Sequence, residues 1–209
     1  MKAVVQRVFD ATVTVDGALK GRVAAGLLVY LGVARDDTTH DADWLIEKIP
    51  HLRIFDDENG KMNLSLLDIV NQQKEMVNKT DVNHEINEVN AKNNKKTTEY
   101  TELEGVGDTN INNSVKLRAL RGYESSGSVG VLAVSQFTLL GDARKGRRPT
   151  WDKAAPPEQA RELYRYFIAQ MGEKVPCESG EFQAHMQVSY TNDGPVTILL
   201  DSALTGSGE

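Results

Sequence analysis

Ser135-Gln136-Phe137-Thr138 places two hydroxyls and an amide directly after an apolar run, Val131-Leu132-Ala133-Val134, that reads as a short buried strand. Either hydroxyl is a potential nucleophile. Neither has a His/Asp pair positioned by sequence to activate it, and without a base a hydroxyl is a poor nucleophile at neutral pH. A second stretch, Asn192-Asp193-Gly194-Pro195-Val196-Thr197, lies between two strand-like runs, Met186–Tyr190 and Val196–Leu200. Its Gly-Pro pair turns the chain, because Pro fixes φ and has no N–H while Gly tolerates unusual φ. The bond between them is a candidate cis peptide. The stretch is either an ordinary hairpin turn or a piece of bare backbone offered to a ligand.

Conventional catalytic apparatus is missing from the rest. There is no G-x-S-x-G, no H-E-x-x-H and no phosphate-binding glycine loop. His40, His51, His84 and His185 lack metal-like spacing, and one cysteine cannot build a thiolate site, so no metal or cofactor is expected. His185 starts a strand near the Gly-Pro stretch, where a structural histidine is the commoner case and a general base the rarer one. Arg7, among apolar neighbours, is a strand-edge arginine snorkelling to water or an anchor for something nearby. Arg144, Lys145, Arg147 and Arg148 form the densest positive cluster. Such a run is either a solvated face or a phosphate contact.

These residues need a framework. Lys2–Val8 and Thr12–Val15 read as strands with a bend at Phe9-Asp10, and Asp16-Gly17 gives a hairpin signal. Leu19–Ala24 is the return strand and Gly26–Val33 a buried one. Thr38 or Thr39 caps a helix with Asp41 and Asp43 in its first turn. Ala42, Leu45, Ile46 and Ile49 share one face, and Pro50 stops it. Pro156-Pro157 opens a second helix, whose stripe Ala160, Leu163, Tyr164, Phe167, Ile168 and Met171 is core, and Gly172 ends it.

Between Ile69 and Ser126 the composition shifts to Asn, Lys, Glu and Thr, without Phe or Trp. Such a segment buries too little apolar surface to order itself fully. It reads as an insertion, partly disordered, in a single domain spanning residues 1–209, with Glu99–Val106 and Lys116–Leu120 able to form a hairpin. Net charge is −6, so the chain is no generically basic nucleic-acid binder, and any RNA must be held by a local patch. No apolar run is long enough to span a membrane. No signal peptide is evident. The single cysteine suits a reducing cytosol, so a cytoplasmic protein is expected.

Together the two opening stretches resemble the D-aminoacyl-tRNA deacylase family, in which SQFT and NxGPVT motifs form the substrate pocket. Met1–Val33, Arg53–Asp57, Gly60–Leu64, Gly146-Arg147-Arg148-Pro149 and Met186–Thr197 are similar to that family in its order. Trp151 stands where a different aromatic is usual. The resemblance implies an α+β fold, an antiparallel β-barrel-like sheet with two surface helices. It implies hydrolysis of D-aminoacyl-tRNA, and of glycyl-tRNA mischarged on alanine tRNA, with catalytic roles for Ser135, Gln136, Phe137 and Thr138. The substrate is an activated ester whose ribose 2′-hydroxyl can help deliver water, so positioning and oxyanion stabilisation suffice. Candidate donors are backbone N–H groups around Gln136–Phe137 and the Gln136 amide, with Thr138 in a positioning role rather than as nucleophile. Substrate binding falls to Asn192, Gly194, Pro195, Arg7 and Met186, with Arg7 hydrogen-bonding the Gly-Pro loop. That loop would reach across a homodimer interface into the partner's pocket. Its backbone would clash with an L side chain while a D side chain points to solvent, a rejection by steric conflict. A near relative that edits L-alanine replaces SQFT, which this chain keeps. The alternative is a non-catalytic nucleic-acid-binding relative acting at DNA replication origins.

Overall fold

The computed structural model describes residues 1–75 and 128–204. Strand β1 (Lys2–Val15) and strand β2 (Ala18–Gly32) form a hairpin closed by Asp16-Gly17, paired from Val15↔Ala18 to Lys2↔Gly32 with one register shift between Val13 and Thr14. The expected breaks at Phe9-Asp10 and Ala25 do not end either strand. A positive φ of 46° at Asp10 and a register shift against β7 absorb the bend instead.

Helix α1 (Thr39–Lys48) follows, with the Asp41 carboxylate accepting from the Thr38 N–H at 2.8 Å and from its hydroxyl at 3.1 Å. Its face Ala42, Leu45, Ile46 is buried, and Pro50 sits in a 3-10 turn just past its end. The short strands β3 (Phe55–Asp56) and β4 (Met62–Leu64) pair with each other. Helix α2, residues 66–75, was not expected. Ser65 and Asp68 start it as a reciprocal cap: Ser65 N–H and Oγ donate to Asp68 Oδ2 at 2.8 and 2.7 Å. The Ser65 contacts hold the Asp68 carboxyl below its ordinary value. The composition shift at Ile69 therefore falls inside a helix, and Ile69 and Val70 belong to the main core. The proposed hairpin at Glu99–Val106 and Lys116–Leu120 lies outside the described residues.

Strand β5 (Val129–Ser135), a 3-10 turn (Phe137–Leu140), helix α3 (Pro157–Gly172), strand β6 (Cys177–Ser179) and strand β7 (Met186–Asp201) complete the order. The five-stranded sheet runs β6-β5-β2-β1-β7. It is mixed, not antiparallel throughout: β2–β5 and β5–β6 are parallel. The physical reason is connectivity. Strand β5 follows α1 and α2, strand β6 follows α3, and a crossover through a helix returns the chain in the same direction. The architecture is thus α+β with three described helices and a sheet whose edges are β6 and β7.

Two apolar clusters cover the sheet's two faces. Helices α1–α3 bury Leu45, Leu66, Phe167 and Met171 against Val5, Leu27, Val29 and Val131. The opposite cluster joins Val8, Ala11, Val13, Val23, Leu28, Leu132 and Val134. The Met1 ammonium is buried, ion-paired to Asp37 at 2.6 Å and bonded to Ser202, which ties the start of β1 to the end of β7.

Candidate active site

Strand β5 is buried from Val129 to Val134 and surfaces at Ser135, so the chain leaves the sheet where its side chains turn polar. The Gln136 N–H donates to the Leu31 carbonyl at 2.8 Å, which fixes this exit against β2. Phe137 opens the 3-10 turn, so no carbonyl of that turn precedes its N–H to accept from it. The Gln136 amide donates to Thr138 Oγ1. Ser135, Gln136 and Phe137 line a cavity of about 530 Å³. Its other walls come from Ala160 and Tyr164 of α3, from Phe182 and His185, and from Met186 of β7. Thr138 is exposed and is not among the lining residues.

Of the expected backbone donors, then, the Gln136 N–H is already engaged, which leaves the Phe137 N–H as the candidate. Such a donor, fixed before any substrate arrives, can stabilise negative charge developing on a carbonyl oxygen. Tyr164 is buried, and its hydroxyl donates to the Ala133 carbonyl at 2.9 Å. Burial, before anything else, raises its pKa far above the usual phenol value, so it is a neutral wall rather than a base. Sequence reasoning placed Tyr164 and Ala160 in the core stripe and missed that the stripe's first turns also face the cavity. Phe182 and Gln183, three and two residues before His185, were missed as lining residues too.

The Gly-Pro stretch is not a hairpin turn. Strand β7 runs through it and keeps pairing with β1 on both sides: Val8 faces Asn192 and Gln6 faces Thr197. One residue of β1, Arg7, thus stands opposite Asp193–Val196, which bulge outward. Gly194 has φ 115°, a conformation L side chains rarely adopt, and the Gly194-Pro195 bond is cis. Arg7 is buried beneath the bulge, 6% exposed. Its Nη1 donates to the Ile54 carbonyl at 2.6 Å and its Nε lies 2.7 Å from Asp193 Oδ2, an ion pair without hydrogen-bond alignment. Asp56 approaches the same guanidinium at 3.7 Å. The Asn192 Oδ1 is buried with no hydrogen-bond partner among the described residues. Arg7, Asn192, Gly194 and Pro195 are not among the lining residues of the cavity, whereas Met186, the first residue of β7, is.

The basic loop is pinned at its base by paired backbone bonds of 2.9 Å between Asp142 and Thr150. Arg144 is bound to the Asp142 carboxylate, and that contact holds the Asp142 carboxyl down to about 2. Lys145, Arg147 and Arg148 are exposed and make no ion pair among the described residues. Beside the loop, Phe137 and Trp151 meet edge to face at 5.2 Å. No described helix is long and apolar enough to cross a membrane.

An α+β scaffold whose β5 strand end adjoins a cavity, with no side-chain hydroxyl paired to a base among the described residues, suits a class of site that works by positioning. Similarity to known proteins gives it a family. The family model D-Tyr-tRNA(Tyr) deacylase matches residues 4–93 and 111–201. Curated relatives include a D-aminoacyl-tRNA deacylase of Kosmotoga olearia, 45% identical over 202 residues, and one of Koribacter versatilis, 43% identical over 203, each covering 97% of both chains. Among solved structures, a c-Myc DNA unwinding element binding protein aligns with TM-score 0.64 and 31% identity over 96% of this chain and 98% of its own. A probable eukaryotic D-amino acid tRNA deacylase shares the fold at TM-score 0.52 and 12% identity, over 95% and 97%. The chain belongs to the D-Tyr-tRNA(Tyr) deacylase family, a family of enzymes.

Proposed function

We propose that this chain hydrolyses the ester of D-aminoacyl-tRNA, releasing free D-amino acid and tRNA, and so acts as a cytoplasmic proofreader of translation. The observation that carries the reading is that Ser135, Gln136 and Phe137, at the end of β5, line the cavity of a chain in this family. Ser135, Gln136 and Phe137 hold the scissile carbonyl. Thr138 positions Gln136 through their hydrogen bond. The substrate's own 2′-hydroxyl helps deliver the attacking water, which lowers the demand on the protein to placement.

The Gly194–Pro195 bulge is the chirality gate. It is not among the lining residues of its own subunit's cavity, and the orphaned Asn192 oxygen beside it accords with a contact from outside the chain. A homodimer in which each bulge enters the partner's cavity supplies both. Leu199 on β7, 76% exposed, and Tyr190 give that partner an apolar strand to meet. Closure of the sheet into a barrel-like form belongs to the same reading, as does treatment of residues 69–126 as an insertion into a single domain. Lys145, Arg147 and Arg148 meet tRNA phosphates, while Arg144 is held by Asp142.

The test is deacylation of D-Tyr-tRNA against L-Tyr-tRNA and Gly-tRNA on alanine tRNA. The D ester is cleaved, the glycyl ester is cleaved in part, and the L ester survives. Likeness to a DNA unwinding element binding protein, at 31% identity, favours a second reading, non-catalytic binding at replication origins. Intact D-Tyr-tRNA together with tight duplex DNA binding would establish that one instead.

A further inference from the structure

The Phe137–Trp151 pair stands exposed beside the cavity. Phe137 is 58% and Trp151 39% exposed, although large aromatic rings are normally covered. The pair is nevertheless built rather than loose. A Cβ on Gly141 would lie 2.6 Å from the Trp151 ring, so the glycine makes room for the indole. The backbone bonds between Asp142 and Thr150 place Trp151 one residue beyond the pinned base of the basic loop. Phe137 borders the cavity on one side and touches Trp151 on the other. Three exposed cations with no ion pair among the described residues, Lys145, Arg147 and Arg148, stand on the same loop of a chain whose net charge is −6.

Stacked rings beside a positive groove are how single-stranded nucleic acid is held without reading its sequence. We propose that Trp151, seated on the edge of Phe137, stacks the nucleobase that precedes the esterified nucleotide, while Lys145, Arg147 and Arg148 take its flanking phosphates. The occupant is an unpaired RNA 3′ tail. Charge complementarity and the cavity next door favour it, and the identity of the ester rests on the function proposed above. The platform would orient the tail so that only its terminal nucleotide enters the cavity. It would do so for any base, since each has a stacking face.

The probe is a short RNA hairpin with a single-stranded 3′ tail, uncharged with amino acid. In a Trp44→Phe background Trp151 is the only tryptophan, and its fluorescence should be quenched on titration. Trp151→Leu should weaken binding about tenfold, Trp151→Phe much less, and Gly141→Ala should mimic the leucine variant by displacing the ring. Affinity should fall with salt, with a log–log slope of roughly −2 for three phosphates on a single strand. Equal affinity of wild type and Trp151→Leu, each shown folded by circular dichroism, overturns the proposal. So does binding to anionic vesicles with none to the RNA tail. The two readings separate cleanly. Wild-type hydrolysis of D-Tyr-tRNA with a KM unmoved by Trp151→Leu removes the platform alone, and tail binding without hydrolysis removes the deacylase alone.

Discussion

The Arg7 Nε lies 2.7 Å from Asp193 Oδ2, so the one residue of β1 opposite the bulge holds the residue that begins it. Both groups sit at the sheet, and the guanidinium also reaches the Ile54 carbonyl. Sequence alone leaves Arg7 between a snorkelling side chain and an anchor. Its burial and its partners make it a link between β1, the segment before β3, and the Gly194–Pro195 bulge.

Arg7→Ala should destabilise the fold by about 1–3 kcal/mol, because the Ile54 carbonyl loses a buried donor and the Asp193 carboxylate its counter-charge. It should also lower kcat/KM on D-Tyr-tRNA and raise cleavage of L-Tyr-tRNA, as the bulge loosens. Arg7→Lys keeps the charge but not the fork and should rescue only in part. Urea denaturation and paired D and L assays check this. Unaltered discrimination in a folded Arg7→Ala protein would separate Arg7 from the bulge.

Thr138 sits outside the cavity lining, bonded to the Gln136 amide. Thr138→Ala should therefore cost no more than about tenfold in kcat, whereas removal of a true nucleophile costs about a millionfold in serine proteases. A substrate ending in 2′-deoxyadenosine should be cleaved far more slowly than its ribose counterpart by the wild type. Single-turnover rates on the two substrates decide between hydroxyls. A dead Thr138→Ala enzyme with an unimpaired deoxy substrate would make Thr138 the nucleophile.

Cys177 contributes no chemistry at neutral pH. Burial first, and the Glu178 carboxylate second, push its thiol up to about 12 from an ordinary 9.0. The folded state thus prefers the neutral thiol. The stability this represents is present in full below pH 9 and fades as pH rises towards 12. Iodoacetamide at about pH 8 should label the native protein slowly and the unfolded protein fast. Cys177→Ala should lessen the loss of stability between pH 9 and 12, measured by thermal melts across that window. Rapid native labelling would show a thiolate that burial does not allow.

Ile69 and Val70 pack in the main core, although the change to a polar composition begins at residue 69. Replacing residues 76–126 by a short Gly/Ser linker should leave a folded, active protein. Extending the deletion to residue 69 removes two buried aliphatics, at a cost of several kcal/mol by analogy with buried truncations to alanine. Circular dichroism and D-Tyr-tRNA assays on both deletions test the boundary. Loss of fold in the shorter deletion would make the polar segment part of the domain.

Much of this was legible in the sequence where the signal is local. Asp16-Gly17, the Thr38 cap, Pro156-Pro157 and the apolar stripe of α3 each mark an element by backbone chemistry that tertiary structure does not override. Helix α2 escaped because its aliphatics precede a polar tract, although Ser65 and Asp68 stood at cap spacing. The parallel pairings of β5 escaped because strand direction depends on crossovers, not on alternation. The bulge reads as a turn in sequence because a Gly-Pro pair looks alike in both, and only the partner strand, with Arg7 opposite Asp193–Val196, tells them apart. Ser135 and Gln136 were placed by their strand end, whereas Tyr164, whose spacing marks core equally well, was not recognised as a cavity wall.

In a homodimer the Gly194–Pro195 bulge of one subunit should complete the cavity of the other. Mixing two inactive variants tests it most directly. One carries a disabled bulge, Gly194→Val with Pro195→Ala, and an intact cavity; the second carries Gln136→Ala and an intact bulge. After the subunits are exchanged, each mixed dimer holds one intact cavity facing one intact bulge. Random pairing predicts return of about a quarter of wild-type D-Tyr-tRNA hydrolysis. A mixture that exchanges subunits, as shown by mass spectrometry, yet stays as inactive as its parents would show that no bulge serves a partner's cavity.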